Sequence, residues 1–205
     1  MKFINPENIY VTSDTHAFHR NICIGCTDWD KGATRNFDCP EKMTIEMANR
    51  INNKVPANGI LFHLGDWSFG GYQNIKRFRD MLNVRTIYLI CGNHDHHMEK
   101  PEVRKLFTQV YGDSYTPFIL NVKIAQNRYY LCHTAMKVWY KSHHGVRHLY
   151  GHSHGSLPDD PKSLSFDAGV DCHDLTPLSF SEDVERIMSH KKWEPIDHHD
   201  SNERE

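Results

Sequence analysis

No stretch of the 205 residues approaches the roughly 18 consecutive apolar residues that a membrane-crossing helix needs. The opening MKFINPENIY also lacks the long apolar core of a signal peptide. These absences lead us to expect a cytoplasmic protein, in the host cytoplasm if phage-encoded, that engages no membrane. Charge of one sign is scarce as well. The chain has 24 Lys and Arg against 26 Asp and Glu, a net charge of −2, so it offers no overall basic field for gripping duplex nucleic acid. A local basic patch stays open. The six cysteines include one CxxC, at Cys23 and Cys26, but no second CxxC or HxxxH follows to complete a structural zinc site. Without an export signal, a disulfide framework is not expected. Internal repeats, low-complexity segments and interdomain linkers are missing too. One domain is expected over residues 1–193, followed by a polar, flexible tail at 194–205.

What the chain does have is histidine, 16 in all. Histidine is the commonest metal ligand and the usual acid–base group near neutral pH, but only position decides its use. Five short apolar runs read as strands, at 9–13, 59–64, 86–91, 128–132 and 148–150, and 117–123 reads as a further one. Their continuous apolar character suits strands buried on both faces. Helical patterns lie between the early strands at 40–53, 72–82 and 101–110, the first and third opening on proline. Ser179 and Glu182 suggest a capping box for a short helix at 180–190. Alternating β and α elements predict an α/β domain, in which ligands bind beyond the carboxyl ends of the strands.

Every unusual polar cluster falls at such an end: Asp14-Thr15-His16, Gly65-Asp66, Gly92-Asn93-His94-Asp95, His133 and Gly151-His152-Ser153-His154. Each alone has a plainer reading, as turn chemistry, a surface histidine or a satisfied core histidine. Jointly those readings require five coincidences. Together the clusters supply carboxylate, amide and imidazole donors for two adjacent metal ions, with Asp66 able to bridge them. Nitrogen and oxygen donors without thiolate favour manganese first, with iron, zinc, nickel or cobalt as alternatives. Two such ions about 3.5–4 Å apart clamp both oxygens of an in-line displacement at phosphorus and lower the pKa of water toward 7. His94 is placed to protonate a leaving oxygen, with Asp95 orienting its ring.

The same series, Asp14-x-His16, Gly65-Asp66, Gly92-Asn93-His94-Asp95, His133 and Gly151-His152-Ser153-His154, resembles the signature of the calcineurin-like metallophosphoesterases, complete and in order. The stretches SDTHAFHRNI, FHLGDWSFGG and VWYKSHHGVRHLYGHSHGSLPDD resemble a subset of short phage and bacterial phosphoesterases. The resemblance implies a four-layer α/β/β/α sandwich of two mixed β-sheets flanked by helices. It implies that Asp14, His16 and His154 hold one metal, that Asn93, His133 and His152 hold the second, and that Asp66 bridges. It also implies that His94 acts as the acid, supported by Asp95. The expected activity is hydrolysis of phosphate esters, diesters above all. Phosphomonoesters or phosphoproteins are the alternative substrates. A catalytically silent scaffold of the same fold is a further alternative, although such a scaffold can lose the motif histidine that His94 provides.

Residues expected to choose the substrate are His19, Asn21, Arg35 and His144, with further basic side chains such as Arg147. Trp67, Trp139 and Tyr140 are candidates for stacking on a base or sugar. Their grouping in sequence suggests a nucleotide or an accessible nucleic-acid end as the partner.

Overall fold

The computed structural model describes residues 1–24 and 35–196. Ten strands and four α-helices follow in order: β1 (Lys2–Phe3), β2 (Ile9–Thr12), α1 (Pro40–Lys54), β3 (Ile60–His63), α2 (Gly71–Asp80), β4 (Thr86–Ile90), α3 (Pro101–Arg104), β5 (Gln109–Tyr111), β6 (Leu120–Ile124), β7 (Asn127–Leu131), β8 (Arg147–Tyr150), β9 (Ser165–Asp167), β10 (Leu178–Ser179) and α4 (Glu185–Ser189).

The strands form two five-stranded mixed sheets, ordered β10-β2-β3-β4-β5 and β1-β6-β7-β8-β9. In the first, β2 to β5 run parallel and β10 is antiparallel at the edge. In the second, only β6 and β7 pair antiparallel. The two-residue period of a strand divides the side chains between two cores. Ile9, Val11, Phe62, Leu64 and Ile90 point between the sheets, where they meet Val122, Leu131, Leu149 and Phe166. Leu61, Ile87 and Leu89 point the other way, onto Met43, Met47 and Ile51 of α1 and Ile75 and Phe78 of α2. Both faces of the parallel strands are therefore dry, which explains their near-continuous apolar sequences.

On the outer face of the second sheet, cover comes from the loop before β8, where buried Trp139 packs on His148 and donates its indole N–H to Val146 O. The chain beyond α4 returns to this side as well. Lys192 and Glu194 donate backbone N–H groups to Pro161 and Lys162, and Trp193, Pro195 and Ile196 help line a cavity of about 390 Å³. The expected tail thus begins as bonded chain, and only 194–196 of it lie within the described residues.

Two local expectations are corrected. The helix predicted over 101–110 stops at Arg104, and Gln109–Tyr111 joins the sheet beside β4. Its apolar residues Val103, Phe107 and Val110 are buried as their spacing implied, but an open parallel edge claimed its last two residues as strand. Ser179 caps the last helix through Asp183 rather than Glu182. It accepts the Asp183 backbone N–H, and the Asp183 carboxylate accepts the Ser179 N–H at 2.9 Å. The first turn there, Phe180–Val184, is π-helical, and the wider turn moves the partner one residue on. Strands β1, β9 and β10 were not legible from pattern, since two or three residues hold no period.

Among the described residues no helix is long and apolar enough to cross a membrane. The cysteines other than Cys26, which lies outside the described residues, are free, and Cys91 and Cys132 are buried thiols.

Candidate metal centre

The site is assembled from loops that leave the carboxyl ends of β2, β3, β4, β7 and β8. Backbone bonds knit these loops together: Asp14 N–H reaches Gly65 O at 3.0 Å, His16 N–H reaches Asp66 O at 2.9 Å, and Gly151 N–H reaches His133 O at 2.9 Å. Ser13 bridges to Gly169, which joins the two sheets at this end. Asp14, His16, Asp66, His152 and His154 all adopt left-handed backbone, with φ between 44° and 70°. Such conformations cost about 1–3 kcal/mol each and concentrate at functional sites.

Two triads result. Donor atoms of Asp14, His16 and His154 lie within 4.8 Å of one another, and so do those of Asp66, His133 and His152. Asp66 stands between them, its Oδ2 3.3 Å from His16 Nε2 and 3.5 Å from His133 Nε2. Its other oxygen accepts the His94 backbone N–H at 2.9 Å, which aims Oδ2 at the gap. Asn93 Oδ1 lies 3.0 Å from His133 Nε2, completing the second group. All seven expected metal ligands therefore converge. Asp14, His16, Asp66, His133 and His154 are buried, while Asn93, His94 and His152 face solvent. The pair of triads is open on that side.

The donor atoms fit cations. Asp14 Oδ1 and both ring nitrogens of His16 are buried without a hydrogen-bond partner among the described residues. Buried polar atoms are rarely left so. His133 Nδ1 donates to Leu64 O at 2.7 Å, and His154 Nδ1 donates to Asp171 Oδ2 at 2.6 Å. Each imidazole thus turns Nε2 toward carboxylate or amide oxygens. A neutral ring would set its lone pair against theirs, a repulsion that a cation between them converts to attraction.

Electrostatics follow the same geometry. Burial raises the Asp14 carboxyl to about 6, against the lowering pull of His133 and His154. Burial holds His16 well below its ordinary value. At Asp66 burial also pushes upward, but the hydrogen bond and charge of His133 and the charge of His16 outweigh it and leave the carboxyl well below the usual range. Burial would lower His133, yet Asp66 and Asp14 carry it to about 9.

Other expected residues take different places. Asp95 is buried and does not reach the His94 ring. Its Oδ2 accepts the N–H groups of Asp66 and Gly92, each at 2.8 Å, and its Oδ1 accepts that of Trp67 at 3.0 Å. A carboxylate with three buried backbone donors braces two loops instead of orienting an imidazole. Arg35 is not a substrate contact either: its side chain is fully buried and pairs with Asp171. Arg147 pairs with Glu185 and Tyr129. Trp67 is wholly buried, its indole bonded to Ile75 O, so it offers no face for stacking. Trp139 is buried on the outer sheet face, packed on His148 outside both triads.

His19 does lie at the site, its ring 5.6 Å from that of His16 and 3.7 Å from Phe69. Asn21 is exposed on the short 3-10 turn that follows. His144 sits on the turn Ser142–His144, outside both triads. Phe69 was missed. It contacts the rings of His16, His19 and His94, and only its place in FHLGDWSFGG, three residues past Asp66, pointed to it. Asp171 was missed too, because β9 before it is too short to read as a strand end.

No family model matches the chain, and no curated protein matches it. Among solved structures, the chain is similar to a protein of unknown function from Aquifex aeolicus. The TM-score is 0.62 at 20% identity, covering 87% of this chain and 98% of that one. At that identity the likeness is one of fold.

Proposed function

We propose that this protein is a two-metal phosphoesterase of the calcineurin-like type, hydrolysing phosphate esters at the carboxyl ends of its two facing sheets. One observation carries the reading: Asp66 belongs to one triad and faces the other, its Oδ2 lying within 3.5 Å of an imidazole nitrogen from each. Asp14, His16 and His154 would hold one divalent cation and Asn93, His133 and His152 the other, with Asp66 common to both. Bound there, manganese or a similar ion pair supplies charge neutralisation and a water ionised near neutral pH.

The chain's own groups do the rest. Asp66 is aimed by the His94 N–H, and His133 and His154 are turned by the acceptors at their Nδ1 atoms. His94 presents its ring to solvent at the open side, 5.4 Å from the His16 ring and against Phe69. From there it can give a proton to the oxygen of a departing alcohol, the service most needed by a poor alkoxide, and hence by a diester. Asp95 keeps the loops of Asp66 and His94 in register. His19 and Phe69 form the adjoining wall, and exposed Asn21 follows on the same chain; these are the side chains best placed to meet a nucleotide or nucleic-acid end.

The test is hydrolysis by metal-depleted protein of a panel of phosphate monoesters, cyclic nucleotides and short single strands, with Mn, Ni, Co, Zn and Mg added in turn. Metal-dependent cleavage with a diester preference supports the reading. Binding of two cations with no cleavage of any ester would leave a silent scaffold, and failure to bind cations would end the proposal.

A further inference from the structure

Behind the Asp14–His16–His154 triad lies a buried ion pair between residues 136 apart in sequence. Arg35 Nε donates to Asp171 Oδ1 at 2.6 Å and Nη2 to Oδ2 at 2.8 Å. The side chains are 0% and 3% exposed. Of the remaining guanidinium donors, Nη1 reaches Thr15 O at 3.1 Å and Met43 Sδ at 3.7 Å, and Nη2 reaches Asp14 O at 2.5 Å. Asp171 Oδ2 also accepts His154 Nδ1–H at 2.6 Å. One guanidinium therefore grips both sides of the triad, the Asp14 main chain directly and the His154 ring through Asp171.

Stability alone is a weak reason for this arrangement. Desolvating two charges is costly, and an apolar pair of similar volume is often at least as stable. The geometry does something an apolar pair could not. It commits His154 Nδ1 as a donor, so in the neutral ring the lone pair falls on Nε2, which faces Asp14 Oδ1, 3.9 Å away. It also pins two residues, Asp14 and His154, whose left-handed backbone needs outside restraint. Among the described residues the second triad has no such pair; His133 is fixed by a backbone carbonyl.

We propose that Arg35 and Asp171 are positioning residues that pre-form the Asp14–His16–His154 pocket for a divalent cation, Asp171 fixing the His154 tautomer and Arg35 locking Asp171 to the Asp14–Thr15 backbone. The inference rests on the two-cation reading and adds an asymmetry to it: one site depends on an arginine–carboxylate pair behind a ligand histidine, whereas the other's ligand histidine rests on a backbone carbonyl.

The test is calorimetric titration of Mn²⁺ into metal-free wild type, Asp171→Asn and Arg35→Lys, with long-range ¹H–¹⁵N spectra of the metal-free proteins to read the His154 tautomer. Both variants keep a polar side chain of similar size, and circular dichroism monitors their folding. The expected result is two bound ions in wild type. In each variant one ion should bind about 10- to 100-fold more weakly while the other is unchanged, and His154 should no longer hold a single Nδ1–H form. Unchanged binding of both ions, or equal weakening of both, overturns the brace while leaving the two-cation reading standing. Wild type that takes up no Mn²⁺ overturns both. Variants that fail to fold even at saturating Mn²⁺ assign the pair to the fold and overturn the positioning role.

Discussion

Asp66 is where the two halves of the site meet. One carboxylate oxygen is spent on the His94 N–H, and the other faces His16 and His133 together. Asp66→Asn replaces a shared anion with a neutral group that has only one acceptor atom. Mn²⁺ binding at both sites should weaken together in titration calorimetry, whereas loss at one site alone would mean that the carboxylate is not shared. His94 is a different kind of residue. No donor set includes it and its ring is exposed, so His94→Ala should leave both cations bound while kcat falls by about 10²–10⁴-fold. Full activity in that variant, measured with a diester at saturating metal, would remove His94 from the chemistry.

At the scale of elements, the loops at the strand ends pack too closely for ordinary side chains. Gly92 ends the apolar run of β4, and a Cβ there would overlap Asp66 Oδ1 and lie 2.7 Å from His133 Cε1. Gly92→Ala should therefore weaken cation binding at the proposed Asp66–His133–His152 site more than at the Asp14–His16–His154 site. Equal binding to wild type in calorimetry would show that the loop has room to yield.

The last helix offers a test by pH. At Asp183 burial pushes the carboxyl upward, but Lys54 and the Ser179 cap outweigh it and lower its pKa from 3.8. A carboxyl lowered by folding adds stability that is present above its unfolded value and fades as pH falls through the folded one. Denaturant titrations should thus show Asp183→Asn losing most stability near neutrality, with the gap to wild type closing below about pH 4. A constant gap down to pH 2 would assign the cost to shape instead of charge.

For the whole molecule, the site ties the two sheets together, since Asp14, His16, Asp66 and Asn93 follow strands of one and His133, His152 and His154 follow strands of the other. Cations bound there would link the two sheets in the native state only. Saturation at about 100 times Kd should add roughly 2.7 kcal/mol per independent site to unfolding stability. Scanning calorimetry should record a higher Tm with Mn²⁺ than with chelator. An unchanged Tm would mean that the folded chain holds no cation it prefers over the unfolded one.

The residue types and their order were legible from the chain alone. Apolar runs that each stop at Asp, Asn or His announce buried strands with polar donors at their ends, and all seven expected donors came together. The mixed α/β class was legible for the same reason, because period and run length are local properties. Asp95, Arg35 and Trp67 went to other tasks, and Phe69 and Asp171 entered the site, because burial and hydrogen-bond partners are set by contacts between distant segments. Gln109–Tyr111 became strand because a neighbouring edge was free, which no local pattern records. The chemistry available was thus written in residue order, whereas the role of each polar side chain waited on folding, since a carboxylate or guanidinium acts on whatever charge the tertiary packing sets within about 3 Å of it.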